Sequence, residues 1–414
     1  MAIPHEQGLD NTHKLLLEGF DYIPKRRWKF QSDIFRSRLL GQKVVCMGGE
    51  EAAEVFYNEE KFKRKGAAPN RIKESLFGKG GVQGLDGAVH KHRKELFMSL
   101  MTPERLSELR ETTRKQWQIA VDNWQKKRKM SLFHESEVLM FRIACEWADV
   151  PLFASELNQR ACDMAAMIDA FGAVGPRHWK GRMARNRSEK WTRNLIQQVR
   201  SGKRHPREGT PLYEIAWHRD LNGKLLDLQT AAVELLNILR PITAIGRYVT
   251  FGALAMHDFP ETKAKLRTGD DEDSRMFVQE VRRYYPFGPF LGARVRYNFK
   301  WGGHHFKKGT LVLLDVYGTN HDPNLWIDPE VFRPERFKDW KESPFNFIPQ
   351  GGGDHDMGHR CAGEWVTIEV MKVSLEFLTK QIDYKMSQQN LNYSMVRIPT
   401  LPKSRFMIRE VTSK

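Results

Sequence analysis

The sequence predicts a mainly α-helical domain that carries a few short strands near its two ends. Between about residues 104 and 270, apolar residues recur every three or four positions, which is the spacing of amphipathic helices. Strand-like segments flank this stretch, and a last helix with one apolar stripe is expected from about 363 to 382. The 414 residues contain no internal repeat, low-complexity tract or long linker, so 1–414 is predicted to be a single domain.

The individual elements follow from local apolar patterns bounded by glycine, proline or polar residues. The predicted strands cover 43–47, 294–299 and 310–314. The predicted helices outside the central stretch cover 50–58, a segment from Gly87 onward, and 363–382, whose stripe comprises Ile368, Met371, Leu375, Leu378 and Ile382. Breaks in the central stretch are expected near Pro151, at 172–176 and at 205–210.

The net charge of +16 makes nucleic-acid binding one interpretation, but the basic residues are spread along the chain and form no recognised nucleic-acid-binding motif. The basic field can instead attract anionic substrates. No apolar run approaches the roughly 20 residues needed to span a bilayer, so no integral membrane segment is expected. The N-terminus lacks the basic segment followed by an apolar segment that is typical of a signal peptide. We therefore expect a cytoplasmic protein.

The four cysteines are widely scattered, so a disulfide framework is not expected. Cys46, Cys145 and Cys162 are predicted to be small, inert core residues. Cys361 differs, because it lies in the glycine-rich segment Pro-Gln-Gly-Gly-Gly-Asp-His-Asp-Met-Gly-His-Arg-Cys, directly before the last helix.

Cys361 has the surroundings of a metal-binding thiolate. The partial positive charge at the start of the following helix, with His359 and Arg360, favours thiolate over thiol. Such a cysteine suits an axial haem ligand. Two alternatives remain open. One is a catalytic cysteine, which would need a positioned histidine. The other is a zinc site, which lacks the usual ligand spacing and would comprise Asp354, His355, Asp356, His359 and Cys361.

Upstream, Glu280-Val-Arg-Arg283 places a carboxylate and a guanidinium on one helical face, and Arg336 in Arg-Pro-Glu-Arg-Phe supplies a second guanidinium. One glutamate between two arginines can form a buried network, which we expect to hold the loop that carries Cys361.

In this order, the three motifs resemble those of the cytochrome P-450 superfamily, and the resemblance covers nearly the whole chain. It implies an α-rich triangular fold with small β-sheets. It also implies that haem b, bound to Cys361, lies between a central distal helix and the Cys-bearing proximal helix. Where the superfamily has Phe and Gly before the cysteine, this chain has Asp354 and Met357, while His359 and Gly363 keep their places. The altered loop argues against the usual docking of an electron donor on that face.

In the superfamily, an acid followed by an alcohol on the central helix delivers protons to bound dioxygen. The matching places here hold Arg240 and Pro241. Arginine keeps its proton at physiological pH, and proline has no hydroxyl and kinks the helix. Because the segment is apolar nearly all round, Arg240 is predicted to be buried and to need an anion. No fixed carboxylate partner stands close by in sequence, which favours the substrate as that anion.

Arg240-Pro241, together with Phe-Gly-Ala-Val-Gly-Pro-Arg-His-Trp at 171–179 and Tyr-Tyr-Pro-Phe-Gly-Pro-Phe at 284–290, resembles the bacterial fatty-acid peroxygenases. That resemblance implies hydroxylation of long-chain fatty acids at the alpha or beta carbon by hydrogen peroxide, without a redox partner. The substrate carboxylate, held by Arg240, would act as the general acid–base. Some decarboxylation to terminal alkenes can accompany it.

The same resemblance assigns further site residues. Gln83 lies over the haem and favours hydroxylation over alkene formation. His90 and Lys94 match places that hold the haem propionates, with Arg64 a weaker candidate; a solvated charge run is the alternative. Four aromatic residues would line the fatty-acid channel unless they are ordinary core residues: Phe77, Phe171, Phe287 and Phe290. Two other functions stay open: a monooxygenase fed by ferredoxin and reductase, and a haem-binding sensor or carrier without turnover.

Overall fold

The computed structural model describes residues 3–414. The α-helices are α1 Thr12–Glu18, α2 Tyr22–Phe30, α3 Glu50–Tyr57, α4 Asn70–Ile72, α5 Gly87–Ser99, α6 Pro103–Trp124, α7 Leu132–Trp147, α8 Ala154–Asp169, α9 Pro176–Arg200, α10 Pro211–Trp217, α11 Leu228–Asp258, α12 Pro260–Thr268, α13 Asp271–Tyr284, α14 Val316–Asn320 and α15 Glu364–Glu376. Short 3-10 turns cover Gly19–Asp21, Val82–Gly84 and Pro334–Phe337, and π-helical turns cover Lys73–Phe77 and Phe377–Gln381.

The strands lie mainly in the first quarter and the last third of the chain. They are β1 Ile34–Leu39, β2 Gln42–Met47, β3 Phe62–Lys63, β4 Lys129–Ser131, β5 Phe290–Val295, β6 Phe299–Trp301, β7 His304–Phe306, β8 Leu311–Asp315, β9 Ile382–Met386 and β10 Met407–Ser413. The largest sheet has the order β1-β2-β8-β5-β3, in which β2 and β8 run parallel. The other sheets are β4-β10-β9 and the pair β6-β7.

Helix α11 is the central element of the fold. It begins where Asp227 caps the helix by accepting a 2.9 Å hydrogen bond from the Thr230 amide. It then runs through the core, packed against α7, α8, α9 and α15, and is buried along most of its length. Pro241 lies inside it. The site is therefore built around a long, enclosed helix.

Most predicted elements are confirmed, with three corrections. The predicted strand at 294–299 is two strands, because β5 ends at Val295 and β6 starts at Phe299. The last helix ends at Glu376, and Ile382 belongs to β9 instead of its apolar stripe. Cys162 is exposed, because it lies beside the buried stripe of α8. Across residues 3–414, no helix is both long enough and apolar enough to cross a bilayer.

Candidate active site

The loop that carries Cys361 is held tightly against the protein. The Cys361 amide donates to the Gln350 carbonyl at 3.1 Å, and the Gln350 side-chain nitrogen lies 3.8 Å from the sulfur. Gly351 adopts a φ of +91°, and a Cβ there would lie 2.9 Å from the Tyr57 hydroxyl oxygen. Glycine is therefore required at this point for both conformation and space.

The protein alone does not favour the thiolate form of Cys361. Burial is the largest influence and raises the pKa of the thiol, while the Gly363 amide, Lys94 and the Gln350 side chain act to lower it. The predicted support from His359 and Arg360 is wrong. Burial and neighbouring cations lower the pKa of His359 far below its usual range, so it is neutral, and Arg360 pairs with Glu364 at 2.7 Å. Lys94 is the cation that assists the sulfur.

Glu280 lies between two arginines, as expected. It is fully buried and accepts from Arg283 at 2.7 Å and from Arg336 at 3.2 Å. Arg283 also donates to the Asn320 carbonyl, and the Asn320 side chain accepts from the amide of Ile348, the residue directly before the Cys loop. This network therefore holds the loop only through Asn320.

The direct anchor of the Cys loop is Arg282, which sequence reasoning missed. Its guanidinium is buried, donates to the Gln350 side-chain oxygen at 3.0 Å, and pairs with Glu364 in the first turn of α15. Burial alone would raise the pKa of Glu364, but Arg282 and Arg360 outweigh it and lower that pKa to about 2. The loop and the helix that follows it are thus fastened to α13.

His90, Lys94 and Arg64 converge beside the loop. His90 stacks on His359 with ring centroids 3.8 Å apart, and Lys94 donates to the Arg360 carbonyl. Burial, with Lys94 nearby, lowers the pKa of His90 to about 4. Arg64 lies over the Phe56 ring at 4.3 Å, and burial lowers its pKa. All three are predicted propionate ligands, and the structure brings them together near His359.

Arg240 is buried on α11, as predicted. Its Nη2 donates to the Asn237 side-chain oxygen at 3.1 Å, and it makes no ion pair within the described part of the chain. Burial, with Arg185 adding to the effect and Cys361 opposing it, lowers the pKa of Arg240 to about 9. The guanidinium therefore keeps its proton at neutral pH. It is a buried cation whose nearest neighbour is a neutral amide.

Asn237 connects Arg240 to Gln83 and to a buried ion pair. Its Nδ2 lies 2.9 Å from Glu234 Oε2 and 3.3 Å from Gln83 Oε1. Glu234 is fully buried and accepts from Arg93 of α5 at 2.7 Å. Glu234, Asn237 and Arg240 are spaced three residues apart, so they share one face of the helix. Gln83 thus belongs to the same network as Arg240.

The four predicted channel residues are all half-buried. Phe77 ends a π-helical turn, and Phe290 packs beside β8 at the start of β5. The Phe171 ring lies 3.8 Å from the Cβ position of Gly288, and Phe287 stacks on Tyr248 with centroids 4.9 Å apart. Phe171 therefore lies beside Gly288, the residue after Phe287, whereas the positions of Phe77 and Phe290 are set by their own elements.

The residues around Cys361 fit an iron porphyrin. Among residues 3–414, several polar atoms here are buried without a hydrogen-bond partner, namely Arg240 Nε, His90 Nδ1, Arg64 Nη1 and the Tyr248 hydroxyl. Such atoms are rare in folded proteins unless a ligand or ordered water satisfies them. A thiol beside several unsatisfied nitrogen donors suits a thiolate-bound metal with an anionic rim.

The zinc alternative is not supported. Within residues 3–414, three metal-binding side chains converge within 4.8 Å only at Glu59, His90 and His359. Asp354, His355 and Asp356 do not gather around Cys361. The loop therefore offers a single sulfur ligand, in keeping with one axial bond to a cofactor.

Two groups of residues were missed for different reasons. Glu234 and Asn237 are polar positions in an apolar run, six and three residues before Arg240, and that spacing could have found them. Arg93, Arg282 and Gln350 reach the site from other elements, with no local signal in the chain.

Comparisons with known proteins show which family and which solved structures this chain is similar to. The profile of the family described as Cytochrome P450 matches residues 274–404. Protopanaxadiol 6-hydroxylase of Panax ginseng is 25% identical over 386 residues, which is 84% of this chain and 79% of that protein.

Several solved structures are much more similar. Cytochrome P450EX alpha (CYP152N1) with myristic acid is 48% identical, with a TM-score of 0.97, covering 100% of this chain and 99% of that one. Cytochrome P450SP alpha (CYP152B1) in complex with (R)-ibuprophen is 44% identical, with a TM-score of 0.96, covering 98% and 99%. A variant of cytochrome P450 OleT in complex with arachidonic acid is 40% identical, with a TM-score of 0.97, covering 100% and 99%. The predicted fold is confirmed.

Proposed function

Because this chain belongs to the cytochrome P450 family, and within it to the CYP152 group of fatty-acid peroxygenases, we propose that it hydroxylates long-chain fatty acids at the alpha or beta carbon with hydrogen peroxide. We also propose that 1–414 is one haem-thiolate domain, which is supported by a structural likeness that extends over 100% of this chain. No redox partner is required in this proposal. The solved neighbours contain myristic acid and arachidonic acid, which supports a fatty acid as substrate.

The observation that carries the proposal is the state of Arg240. A buried guanidinium that keeps its proton and has only a neutral partner is costly unless an anion pairs with it. A fatty-acid carboxylate is such an anion, and it can accept two parallel hydrogen bonds from one guanidinium. The Nε of Arg240 has no hydrogen-bond partner within residues 3–414, so it can supply one of these two donors.

The haem would be held by residues that already converge. Cys361 would supply the sulfur ligand, and His90 and Lys94, with Arg64, would hold the propionates. When bound, the haem supplies an iron centre at which the O–O bond of peroxide is cleaved and one oxygen is delivered to a C–H bond. The positive iron also offsets the burial that otherwise keeps the Cys361 thiol protonated.

The chain itself lacks the usual proton donor, since Arg240 and Pro241 occupy the acid and alcohol places. Pro241 has no hydroxyl, and Arg240 does not release its proton at neutral pH. The carboxylate bound to Arg240 can take a proton from one peroxide oxygen and return it to the other. Because peroxide already carries two electrons more than dioxygen, no reductase is needed.

The same ion pair determines where the substrate is oxidised. A carboxylate fixed at Arg240 places Cα and Cβ near the reacting centre, and the remaining chain extends away. The aromatic side chains at Phe77, Phe171, Phe287 and Phe290 supply apolar surface for it. Gln83, linked to Arg240 through Asn237, borders the carboxylate end and favours hydroxylation over alkene formation.

The test is to incubate purified, haem-loaded protein with palmitate and hydrogen peroxide, without reductase. We expect 2- or 3-hydroxypalmitate, with any alkene as a minor product. Arg240→Ala is expected to lose at least about a hundredfold in turnover while keeping its haem. Arg193→Ala, which removes an arginine on the surface of α9, serves as the matched control and should stay active.

Other outcomes identify the alternatives. Turnover only with ferredoxin and reductase would make the protein a conventional monooxygenase. Haem binding without any product would make it a sensor or carrier. Full activity of Arg240→Ala would contradict the role of the substrate carboxylate.

A further inference from the structure

The start of helix α9 presents large apolar side chains to solvent. Trp179 and Met183 are 63% and 55% exposed, and they lie four residues apart on one face of the helix. Val174, in the loop that leads into α9, is also exposed. Exposed apolar groups clustered in this way mark an interaction surface more often than isolated ones do.

Two further segments extend this apolar surface. Gly172, in the same loop, lies so close to Ile398 that a Cβ built on it would be 2.9 Å from the Ile398 side chain. Arg177 donates to the Ile398 carbonyl at 3.1 Å. Val396, two residues away, is exposed and lies against Gly19 at the end of α1. Helix α1 in turn exposes Leu16 and Leu17. The 395–398 segment thus contacts both the end of α1 and the loop before α9, and all three segments carry exposed apolar side chains.

The charges around this surface are positive. Lys180 and Arg182 are exposed in the first two turns of α9, and Lys190 is exposed past the middle of the helix. The nearby carboxylates are already paired, since Glu74 lies 3.4 Å from Lys79 and 3.5 Å from Arg182. Asp169 pairs with Arg177 and Arg397. The surface is thus apolar with an excess of basic groups at its rim.

The surface lies on the outer side of the loop that carries Phe171. The Phe171 ring is directed towards Gly288, 3.8 Å away, while Val174, three residues on, is directed to solvent. Arg71, beside the π-helical turn that ends at Phe77, donates to the Ala173 carbonyl of the same loop. The loop that carries Phe171 and Val174 therefore contributes both to the exposed apolar surface and to the wall of the predicted fatty-acid channel.

We propose that this surface, formed by α1, the 395–398 segment and the start of α9, docks on a bilayer that contains anionic phospholipids. An exposed tryptophan and methionine next to lysine and arginine suit the interface between headgroups and acyl chains. Basic residues at the rim are attracted by anionic headgroups, which a protein partner would have to match with placed carboxylates. Docking here would bring the channel wall next to the phase in which long-chain acids accumulate.

The test uses haem-loaded protein without fatty acid or peroxide, so its result does not depend on the proposed reaction. Binding is measured by co-sedimentation with phosphatidylglycerol vesicles and with phosphatidylcholine vesicles. We expect binding to the anionic vesicles that weakens as salt is raised, and at least about tenfold weaker binding of the Trp179→Ala/Met183→Ala variant. Lys180→Gln/Arg182→Gln should weaken binding to the anionic vesicles only.

Trp217→Ala is the matched control, because Trp217 is also exposed and lies at the opposite end of α9, where Arg200 donates to the Ala216 carbonyl. Its binding should equal that of the unmodified protein. No binding to anionic vesicles, or equal losses in the Trp179 and Trp217 variants, would overturn the proposal. So would sedimentation showing that the surface joins two copies of the chain and leaves vesicles unbound.

Discussion

Glu234 Oε2 accepts a 2.9 Å hydrogen bond from Asn237 Nδ2, one helical turn away, and this contact determines which way the Asn237 amide faces. A carboxylate paired with Arg93 can only accept, so the amide nitrogen must face Glu234. The amide oxygen is then left for Arg240, and the second N–H is left for Gln83 Oε1. The Gln83 oxygen is thereby the atom that faces Asn237.

We therefore expect Asn237→Leu to weaken fatty-acid binding and hydroxylation about tenfold, because Arg240 and Gln83 both lose the partner that orients them. The measurement is a palmitate titration followed by the haem absorption change, with product analysis under peroxide. The reduced, carbon monoxide-bound spectrum should stay that of a thiolate ligand. Unchanged affinity and product yield would contradict this role of Asn237.

Asn237→Asp keeps the shape of the side chain at position 237 but replaces the neutral amide with a carboxylate. The new carboxylate would pair with Arg240 inside the protein and compete with the substrate for the same guanidinium. It would also face Glu234 with like charge. We expect this variant to bind palmitate more weakly than Asn237→Leu does, and the same titration ranks the two.

A second prediction concerns Arg282, the anchor of the loop that carries Cys361. Arg282→Met leaves Glu364 with Arg360 as its remaining partner and removes the 3.0 Å bond to Gln350. Removal of one member of a buried ion pair costs about 3–5 kcal/mol. We expect a lower free energy of unfolding in urea, and a smaller fraction of protein with thiolate-bound haem in the reduced, carbon monoxide-bound spectrum.

Arg275→Met is the control on the same helix. Arg275 pairs with Glu272 at 2.6 Å in an exposed pair of one helical turn, which is worth at most about 0.5 kcal/mol. Its haem spectrum should be unaltered. Equal losses in the two variants would mean that α13 as a whole, and not the Arg282 contact, holds the loop.

Local patterns are sufficient to predict the breaks between the helices, because proline and glycine act on their own residues. They fail at 377–382, where the apolar stripe continues but the backbone leaves the helix. There Ile382 pairs with Ser413 of β10, a partner far along the chain, and this pairing outweighs local periodicity. The exposure of Cys162 has the same kind of cause, since packing decides which face of α8 is covered.

Some site residues can likewise be predicted from local motifs, and others are brought together only by the tertiary structure. Cys361, Glu280, Arg283 and Arg336 stand in motifs whose order along the chain is informative. The Arg93–Glu234 pair joins residues 141 positions apart, so no local sequence pattern predicts it. The burial of Arg240 can be predicted from its apolar neighbours in α11. Its contact with the neutral Asn237 can be predicted only when residues three positions apart are placed on one face of the helix.

The last prediction concerns Glu137 of α7, which is 7% exposed. Burial, with Asp169 adding to the effect and Arg247 opposing it, raises the pKa of Glu137 to about 7. Between about pH 4.5 and pH 7 the carboxyl is ionised in the unfolded chain but protonated in the folded protein. Folding therefore loses about 1.4 kcal/mol per pH unit over that window, to a total of about 3 kcal/mol, and the loss is constant above it.

Glu137→Gln removes this titration. The free energy of unfolding of the variant, relative to the unmodified protein, should thus rise as the pH increases from 4.5 to 7 and then level off. Urea unfolding of the haem-loaded proteins at pH 4.5, 6 and 8 measures the difference. Arg247 is also buried, and it pairs with Asp169 at 3.4 Å. Its positive charge attracts an ionised Glu137 and opposes the effect of burial. A difference that falls with increasing pH would show that this attraction outweighs burial and that Glu137 is charged in the folded protein.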